Sequence, residues 1–244
     1  PSSGKTEIFL HLILDTLRAG RQALYLLPEI ALTTQMTERL ADVLGPRLLV
    51  YHSGLTDRER AEVWRRLLRT DSEPAVVVGV RSSLFLPFDR LGLIVVDEEH
   101  EPSYKQNDPA PRYHARNAAL MLARMHGARA LLGSATPSLE TYYLARTGRY
   151  GLVTLTERYG AAPEPEIVLV DTKEMRRKRR MKFDALLSPQ LREAIDGALA
   201  EGRQTILFRN RRGYAPVMEC RSCGYVPRCA YCDVSLTYHR TQHR

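Results

Sequence analysis

Leu93-Ile94-Val95-Val96-Asp97-Glu98-Glu99-His100 joins an apolar run to a cluster of carboxylates. A short run of aliphatic and β-branched residues is typical of a parallel strand that is buried on both faces. Parallel sheets bind their ligands at the carboxyl ends of such strands, which is where the acids follow. The local pattern alone fits a charged loop that opens a helix equally well, so a second motif must decide between the two interpretations.

That second motif is Ser3-Gly4-Lys5-Thr6, which precedes a predicted helix from Glu7 to Arg18 that ends before Gly20. Gly-Lys-Thr is the last part of a phosphate-binding loop. In such a loop, backbone N–H groups and the helix N-terminus cradle phosphates, the lysine reaches the β- and γ-phosphates, and the threonine hydroxyl binds Mg²⁺. Together with Asp97 and Glu98, the motif predicts the two halves of one Mg-nucleotide site.

Five β-rich runs alternate with predicted helices between Thr6 and about Leu155. The runs are Ala23–Leu27, Leu48–Tyr51, Ala75–Gly79, Leu93–Val96 and Ala130–Leu132. This alternation predicts an α/β fold with a doubly wound parallel sheet.

Capping signals predict two further helices. Thr56 and Glu59 form a capping-box pattern before a helix that runs to about Arg69. Ser188-Pro189 supplies an N-cap and a first helical residue for a helix that ends at Gly202.

The alternation breaks around residues 158–165, where one glycine and two prolines interrupt it. New strand candidates follow at Ile167–Val170 and Thr205–Phe208, so a second structural unit is predicted there. The expected division is 1–157 for the first unit, 158–219 for a connector and the start of the second, and 220–244 for a Cys-rich segment.

Composition limits the class of protein. The chain has 244 residues, of which 44% are hydrophobic and 26% charged, as in ordinary soluble globular proteins. No apolar run approaches the roughly 18 residues that span a bilayer, and no signal-peptide pattern is present, so a cytoplasmic protein that does not enter a membrane is expected.

The net charge of +8 favours polyanionic partners. Seven of the ten residues from Lys173 to Lys182 are basic, and this run fits either a solvated, disordered loop or direct phosphate contact.

Four cysteines form two pairs of the Cys-x-x-Cys type, Cys220 with Cys223 and Cys229 with Cys232. In a chain of this composition such pairs favour zinc over disulfides. One tetrahedral four-cysteine site is the simple interpretation, although the two pairs are close together. Alternatively, each pair belongs to a different zinc and has its partner pair beyond Arg244. His239 and His243 are further candidate ligands.

Ten stretches of the chain occur in the order of one family. They are Gly4–Glu7, Leu27–Leu32, His52-Ser53, Gly79–Ser82, Asp97–His100, Ser103–Gln106, Tyr113–Arg116, Gly133–Ser138, Asn210–Tyr214 and the cysteine pairs. On these motifs the chain resembles the PriA family of primosomal, replication-restart DNA helicases within superfamily 2. One departure is Gly79-Val80-Arg81-Ser82-Ser83, where the family usually has Gly-Thr-Arg-Ser-Ala.

The resemblance implies an ATP-driven 3′-to-5′ DNA helicase that acts at stalled or repaired forks. It implies a RecA-like first lobe, the start of a second RecA-like lobe, and an incomplete zinc-binding insert of a protein with two structural zincs. The expected cofactors are ATP, Mg²⁺ and Zn²⁺. The expected partners are forked and single-stranded DNA, primosome and replication-restart proteins, and single-stranded-DNA-binding protein. The chain is expected to be a fragment, because the family's interlobe arginine has no counterpart in it.

The resemblance also implies residue roles. For ATP binding and hydrolysis, Lys5 holds the β/γ-phosphates, Thr6 and Asp97 hold Mg²⁺, Glu98 orients the attacking water, and Ser3, Gly4 and Glu7 complete the nucleotide site. For coupling to DNA, His100, Ser134 and Thr136 relay the nucleotide state, and Arg81 is a contact to DNA or nucleotide. Tyr104, Lys105, Tyr113 and Arg116 resemble an aromatic-rich loop that senses single-stranded DNA, with core packing as the competing interpretation for the tyrosines. No role is predicted for Glu99.

Two other functions fit part of the pattern. One is a DNA- and partner-binding primosome scaffold with a vestigial ATP site, in which the zinc segment and the basic run matter. The other is a translocase or restriction-type motor of the same superfamily, which would not need the cysteine pairs.

Overall fold

The computed structural model describes residues 4–29, 31–69, 73–157, 165–178, 187–208, 220, 223 and 225–228. They belong to two compact units, Pro1–Glu164 and Pro165–Arg244. The predicted bounds at 157 and 219 stay a prediction. In the described part of the chain, no helix combines the length and the apolar character that crossing a membrane requires.

The first unit alternates helices with parallel strands. Its helices are α1 (Lys5–Arg18), α2 (Thr34–Leu44), α3 (Asp57–Leu68), α4 (Ala115–His126) and α5 (Leu139–Arg146). Its strands are β1 (Gln22–Leu26), β2 (Leu48–Tyr51), β3 (Val76–Gly79), β4 (Leu91–Val96) and β5 (Arg129–Leu132). The strands form one sheet in the order β2-β3-β1-β4-β5, and every neighbouring pair is parallel. The predicted parallel α/β sheet is confirmed, with strand ends that differ from the prediction by at most two residues.

Helices cover both faces of this sheet. On one face, Leu24, Val77 and Ile94 pack in a cluster with buried residues of α3 and α4. On the other face, Tyr25, Val78 and Val95 pack in a cluster with buried residues of α1 and α2. Every residue of β1, β3 and β4 is buried, as expected for central strands of a doubly covered sheet.

The start of α3 has the predicted capping box. Thr56 Oγ1 accepts a hydrogen bond from the Glu59 N–H at 3.3 Å, and Glu59 Oε2 accepts one from the Thr56 N–H at 2.8 Å. Both halves of the capping box are therefore present.

The second unit contains α6 (Thr172–Arg177) and α7 (Pro189–Ala200). The predicted start of α7 is confirmed, since Ser188 Oγ accepts a hydrogen bond from the Leu191 N–H at 3.2 Å. The first part of the basic run is helical rather than a disordered loop, because it lies in α6, which the Asp171 side chain caps.

The two strands predicted in the second unit are wrong. Residues 167–170 and 205–208 form neither helix nor strand. Their apolar side chains are exposed, with Leu169 at 92% and Ile206 at 94%. Neither segment has a sheet neighbour among the described residues, and a strand needs one for its backbone N–H and C=O groups. The start of a second RecA-like lobe therefore stays a prediction.

Candidate nucleotide site

The start of α1 and the end of β4 meet at the carboxyl edge of the sheet. Lys5 Nζ lies 2.9 Å from Glu98 Oε1 and 3.8 Å from Asp97 Oδ1. Gly4 caps α1 with a φ of +79°, a left-handed conformation that glycine adopts without strain, and no side chain caps this helix end. An uncapped helix N-terminus offers backbone N–H groups and a positive dipole to an anion. The structure thus brings together the predicted phosphate-binding motif and the predicted acids.

The carboxylate of Asp97 is oriented by hydrogen bonds to both of its oxygens. Its Oδ1 accepts from the Glu98 N–H at 2.9 Å, and its Oδ2 accepts from the Tyr25 hydroxyl at 3.1 Å. Burial raises the pKa of Asp97, and the charge of Lys5 opposes that rise. Tyr25 lies fully buried on β1, the neighbour of β4, and burial with the nearby Asp97 charge raises its pKa strongly. The Tyr25 hydroxyl is therefore a neutral donor that holds Asp97 in one orientation.

Glu98 has an unusual backbone. Its φ is +46°, and among the residues that the structure describes it is the one non-glycine in the left-handed region. Such a conformation costs free energy and clusters at functional sites. The side chain is 37% exposed, so its carboxylate reaches solvent beside Lys5.

The other predicted nucleotide-binding residues differ in their surroundings. Thr6 is half-buried in the first turn of α1. Glu7 forms an ion pair with Arg39 of α2. Ser3 lies outside the described residues.

His100 connects the acidic turn to the segment after β5. Its Nδ1 lies 2.7 Å from Ser134 Oγ, and its Nε2 lies 3.3 Å from Thr136 Oγ1. Ser134 Oγ also accepts a hydrogen bond from the Thr136 N–H at 2.9 Å. The three residues predicted to relay the nucleotide state are therefore in contact with one another.

Glu99, for which the sequence predicts no role, is a buried residue that accepts hydrogen bonds from three others. Only 1% of it is exposed, and it accepts hydrogen bonds from Arg116, Ser138 and Thr141. Burial by itself raises the pKa of Glu99, but these hydrogen bonds outweigh burial and leave the pKa lowered. Glu99 is therefore a buried carboxylate held ionised by its partners.

The family model for DEAD/DEAH box helicases matches residues 1–144, a range that includes every residue of the candidate site described above. The chain belongs to the DEAD/DEAH box helicase family. This membership confirms a RecA-like helicase lobe as the fold of the first unit.

Three relatives of this helicase chain confirm the resemblance seen in its motifs. The chain is 46% identical to replication restart protein PriA of Bacillus subtilis, over 99% of the chain and 29% of that protein. It is 44% identical to PriA of Rickettsia conorii, over 98% of the chain and 36% of that protein. It is 41% identical to PriA of Synechocystis sp., over 98% and 29% respectively. The chain thus spans about a third of the length of these curated relatives.

The loop from Glu101 to His114 is held by buried hydrogen bonds. Tyr104 is 1% exposed, and its hydroxyl donates to Leu26 O at 3.0 Å and to Asp97 O at 2.7 Å. Its buried ring has no face for a nucleobase, so the core-packing interpretation is correct for Tyr104 and the stacking role is wrong.

Arg116, predicted to sense DNA, is also internal. Its side chain is 12% exposed, and its Nη1 donates to Glu99 Oε2 at 2.7 Å, to Ser138 Oγ at 2.6 Å and to Thr141 Oγ1 at 3.1 Å. A direct contact to DNA would have to break this buried ion pair, so the predicted role of Arg116 is corrected to an internal one.

Arg81 and Tyr113 fasten the same loop to the turn after β3. Arg81 Nη1 donates to Ser103 O at 3.2 Å and to Lys105 O at 3.3 Å. The Tyr113 hydroxyl donates to Arg81 O at 3.3 Å, and its half-buried ring packs edge-on against Phe85. Lys105 donates to Arg112 O. These contacts position the loop.

The predicted zinc ligands divide between two categories. Cys229 and Cys232 lie outside the described residues. Cys220 and Cys223 are exposed. Within the described ranges, no group of three or more His, Cys, Asp or Glu side chains is arranged to hold a metal ion. Zinc binding therefore stays a prediction.

Two participants were missed by sequence reasoning, Tyr25 and Glu99. A signal existed for Tyr25, because a tyrosine inside an apolar strand requires a hydrogen-bond acceptor, and the acids at the end of the next strand are near. For Glu99 the signal was the third acid of the cluster, but its partners are 17 and 39 to 42 residues away along the chain. Their proximity depends on how α4 and α5 pack.

Proposed function

We propose that the chain carries the ATP-binding lobe of an ATP-dependent 3′-to-5′ DNA helicase that acts in replication restart. One observation carries the proposal: Lys5 Nζ lies 2.9 Å from Glu98 Oε1 and 3.8 Å from Asp97 Oδ1. A lysine at the start of a helix beside two carboxylates at a strand end is the arrangement that phosphoryl transfer from ATP requires. The extensive identity to replication restart proteins supports the cellular context.

The nucleotide site would use the start of α1. Gly4 allows the backbone to approach a phosphate, and Lys5 would neutralise the β- and γ-phosphates as its ammonium group does for carboxylates here. The hydroxyl of Thr6 and the carboxylate of Asp97 would hold Mg²⁺, since both supply the hard oxygen ligands that this ion prefers. The Tyr25 hydroxyl occupies one face of Asp97 Oδ2 and so fixes the direction of the remaining lone pairs. When bound, Mg²⁺ supplies neutralisation of phosphate charge.

Glu98 would orient the attacking water. Lys5 and Glu98 are mutual counter-ions, so a phosphate that binds Lys5 competes with Glu98 and releases its carboxylate toward solvent. A released carboxylate next to the γ-phosphate can accept a hydrogen bond from water and hold its oxygen in line for attack. The left-handed backbone at Glu98 keeps the side chain at this edge of the sheet.

The residues beside the acids would couple ATP hydrolysis to DNA binding. The contacts of His100 with Ser134 and Thr136 join the hydrolytic turn to the segment after β5, and Lys105 and Tyr113 lie on the loop that Arg81 fastens. The net charge of +8 supports binding of forked and single-stranded DNA. The full-length protein would bind primosome and restart proteins and single-stranded-DNA-binding protein. It would hold two zinc ions, in part through the four cysteines, and act in the cytoplasm.

Two substitutions in the full-length protein test the hydrolytic roles. Lys5→Ala removes the phosphate contact, and Glu98→Gln removes the charge that holds the water. Each should reduce DNA-stimulated ATP hydrolysis by at least about a hundredfold. Glu62→Gln, at an exposed position of α3, is the matched control and should hydrolyse ATP like wild type. Unchanged turnover in both site variants would refute the proposal.

A restart assay separates the helicase from the scaffold alternative. If the Lys5→Ala protein supports replication restart at wild-type efficiency, the ATP site is vestigial and the scaffold function is favoured. Metal analysis of the full-length protein addresses the third alternative: about two zincs per chain support a replication-restart helicase, and none supports a motor without a zinc insert.

A further inference from the structure

The Glu99 cluster, which consists of Glu99, Arg116, Ser138 and Thr141, joins three segments at one buried carboxylate. Glu99 Oε1 accepts from the Ser138 N–H at 2.7 Å. Glu99 Oε2 accepts from Arg116 Nη1 at 2.7 Å, Thr141 Oγ1 at 3.0 Å and Ser138 Oγ at 3.1 Å. The donors thus come from the first turn of α4 and from the N-cap and first turn of α5.

Each segment leads to a different part of the proposed helicase site. Glu99 directly follows Glu98, and its N–H donates to Gly133 O at 3.0 Å. Arg116 follows the loop that ends at His114, and Ser138 ends the segment that contains Ser134 and Thr136. The cluster therefore lies where the hydrolytic turn, the loop and the relay segment come together.

The energetics of burial make this junction stiff. A carboxylate that is almost fully buried cannot lose its charged partner without a large desolvation cost. Both oxygens of Glu99 are held, so a displacement of α4 or α5 either moves Glu99 with it or separates a buried ion pair. Because Glu98 is the adjacent residue and already has a φ of +46°, a movement of Glu99 is passed to the Glu98 backbone.

We propose that Glu99 is a positioning residue that transmits displacements of the 101–114 loop and of the α5 start to Glu98. This linkage is separate from the contacts of His100 and lies deeper in the fold. The inference rests on the proposed function, since it concerns how DNA binding would accelerate ATP hydrolysis. It also explains why Arg116 is buried in the loop's anchoring helix instead of facing solvent.

The test compares ATP turnover with and without single-stranded DNA in the full-length protein. Glu99→Gln keeps the shape of the side chain and an acceptor for Ser138 but removes the charge that holds Arg116. The ratio of DNA-stimulated to basal turnover should fall about tenfold, with the KM for ATP unchanged. Thr141→Val removes one donor from the α5 side and should lower the same ratio by a smaller factor, about threefold. Glu140→Gln, at the exposed neighbouring position of α5, should leave the ratio unchanged.

The outcomes separate this inference from the proposed function. Wild-type protein that shows no DNA-stimulated hydrolysis overturns the proposed function and the inference with it. Active wild type together with an unchanged ratio in both Glu99→Gln and Thr141→Val overturns the inference alone. A purely structural role lowers basal and stimulated turnover by the same factor and also overturns it. Thermal melting identifies a variant that does not fold, in which case Thr141→Val alone decides.

Discussion

Strand β4 and the segment 167–170 have similar residues but opposite surroundings. Every side chain of β4 is buried, and the strand pairs with β1 on one edge and β5 on the other. In the second segment, Ile167, Val168 and Leu169 are all exposed, and no described residue pairs with it. The difference shows that an apolar, β-branched run becomes a strand only where neighbouring strands accept its backbone hydrogen bonds and helices cover its faces.

Truncation of one side chain in each region should give the largest difference in the free energy of unfolding. Ile94→Ala removes methyl and methylene groups from a fully buried position and should lower the free energy of unfolding by about 2–5 kcal/mol. Leu169→Ala removes an exposed side chain and should change it by no more than about 0.5 kcal/mol. Urea denaturation, followed by circular dichroism and by the fluorescence of the single tryptophan, Trp64, measures both. A loss above about 1 kcal/mol for Leu169→Ala would mean that this segment is buried in solution, as β4 is.

The second-largest effect is expected from the hydroxyl of Tyr104, which binds backbone carbonyls at the ends of β1 and β4. Tyr104→Phe leaves Asp97 O and Leu26 O without the donor that the Tyr104 hydroxyl supplies. Leu26 O still accepts from the Asp97 N–H, so Asp97 O is the carbonyl that loses its donor. The free energy of unfolding should fall by about 1–3 kcal/mol, the cost of leaving a buried polar group unsatisfied. Tyr142→Phe, at an exposed position of α5, is the control and should change stability by no more than about 0.5 kcal/mol. Equal effects of the two substitutions would show that burial at the strand end is unimportant.

The smallest effects should come from helix caps, which are alike in the two units. Hydrogen bonds from Thr56 lower the pKa of Glu59, and backbone N–H groups of Glu174 and Lys173 lower the pKa of Asp171. A carboxyl whose pKa is lower in the folded protein adds stability above its unfolded pKa and loses that contribution as the pH falls through its folded pKa. Glu59→Gln and Asp171→Asn should therefore destabilise their helices at pH 7, with the difference from wild type gone by about pH 2.

Circular dichroism in urea at the two pH values measures this loss. Glu62→Gln, in the middle of α3, is the control and should show no such convergence. A difference from wild type that is as large at pH 2 as at pH 7 would show that the caps act through something other than the carboxylate charge.

The predictions that the structure confirms rest on local signals. Apolar runs, the Thr56–Glu59 capping box and the Ser188 N-cap each lie within a few residues, and all are present in the structure. The prediction of a strand at 167–170 was wrong because a strand depends on neighbouring strands. The sequence of the segment itself carries no information about them.

The candidate site shows the same division. Lys5, Asp97 and Glu98 could be predicted because helix starts and strand ends meet at one edge of a parallel sheet. The core position of Tyr104 could not be decided from the sequence, because nothing local reveals that its hydroxyl points inward to the carbonyl acceptors of Leu26 and Asp97. The role of Arg116 was missed because the partner of a buried charge depends on helix packing between distant residues.

The backbone at Glu98 has a consequence for how the protein tolerates mutation. Its positive φ suits glycine better than glutamate, so Glu98→Gly would relax the turn while removing the carboxylate. A library of variants screened only for folding would accumulate glycine at this position and lose the proposed chemistry. Glutamate at position 98 is therefore expected to persist only under selection for ATP turnover.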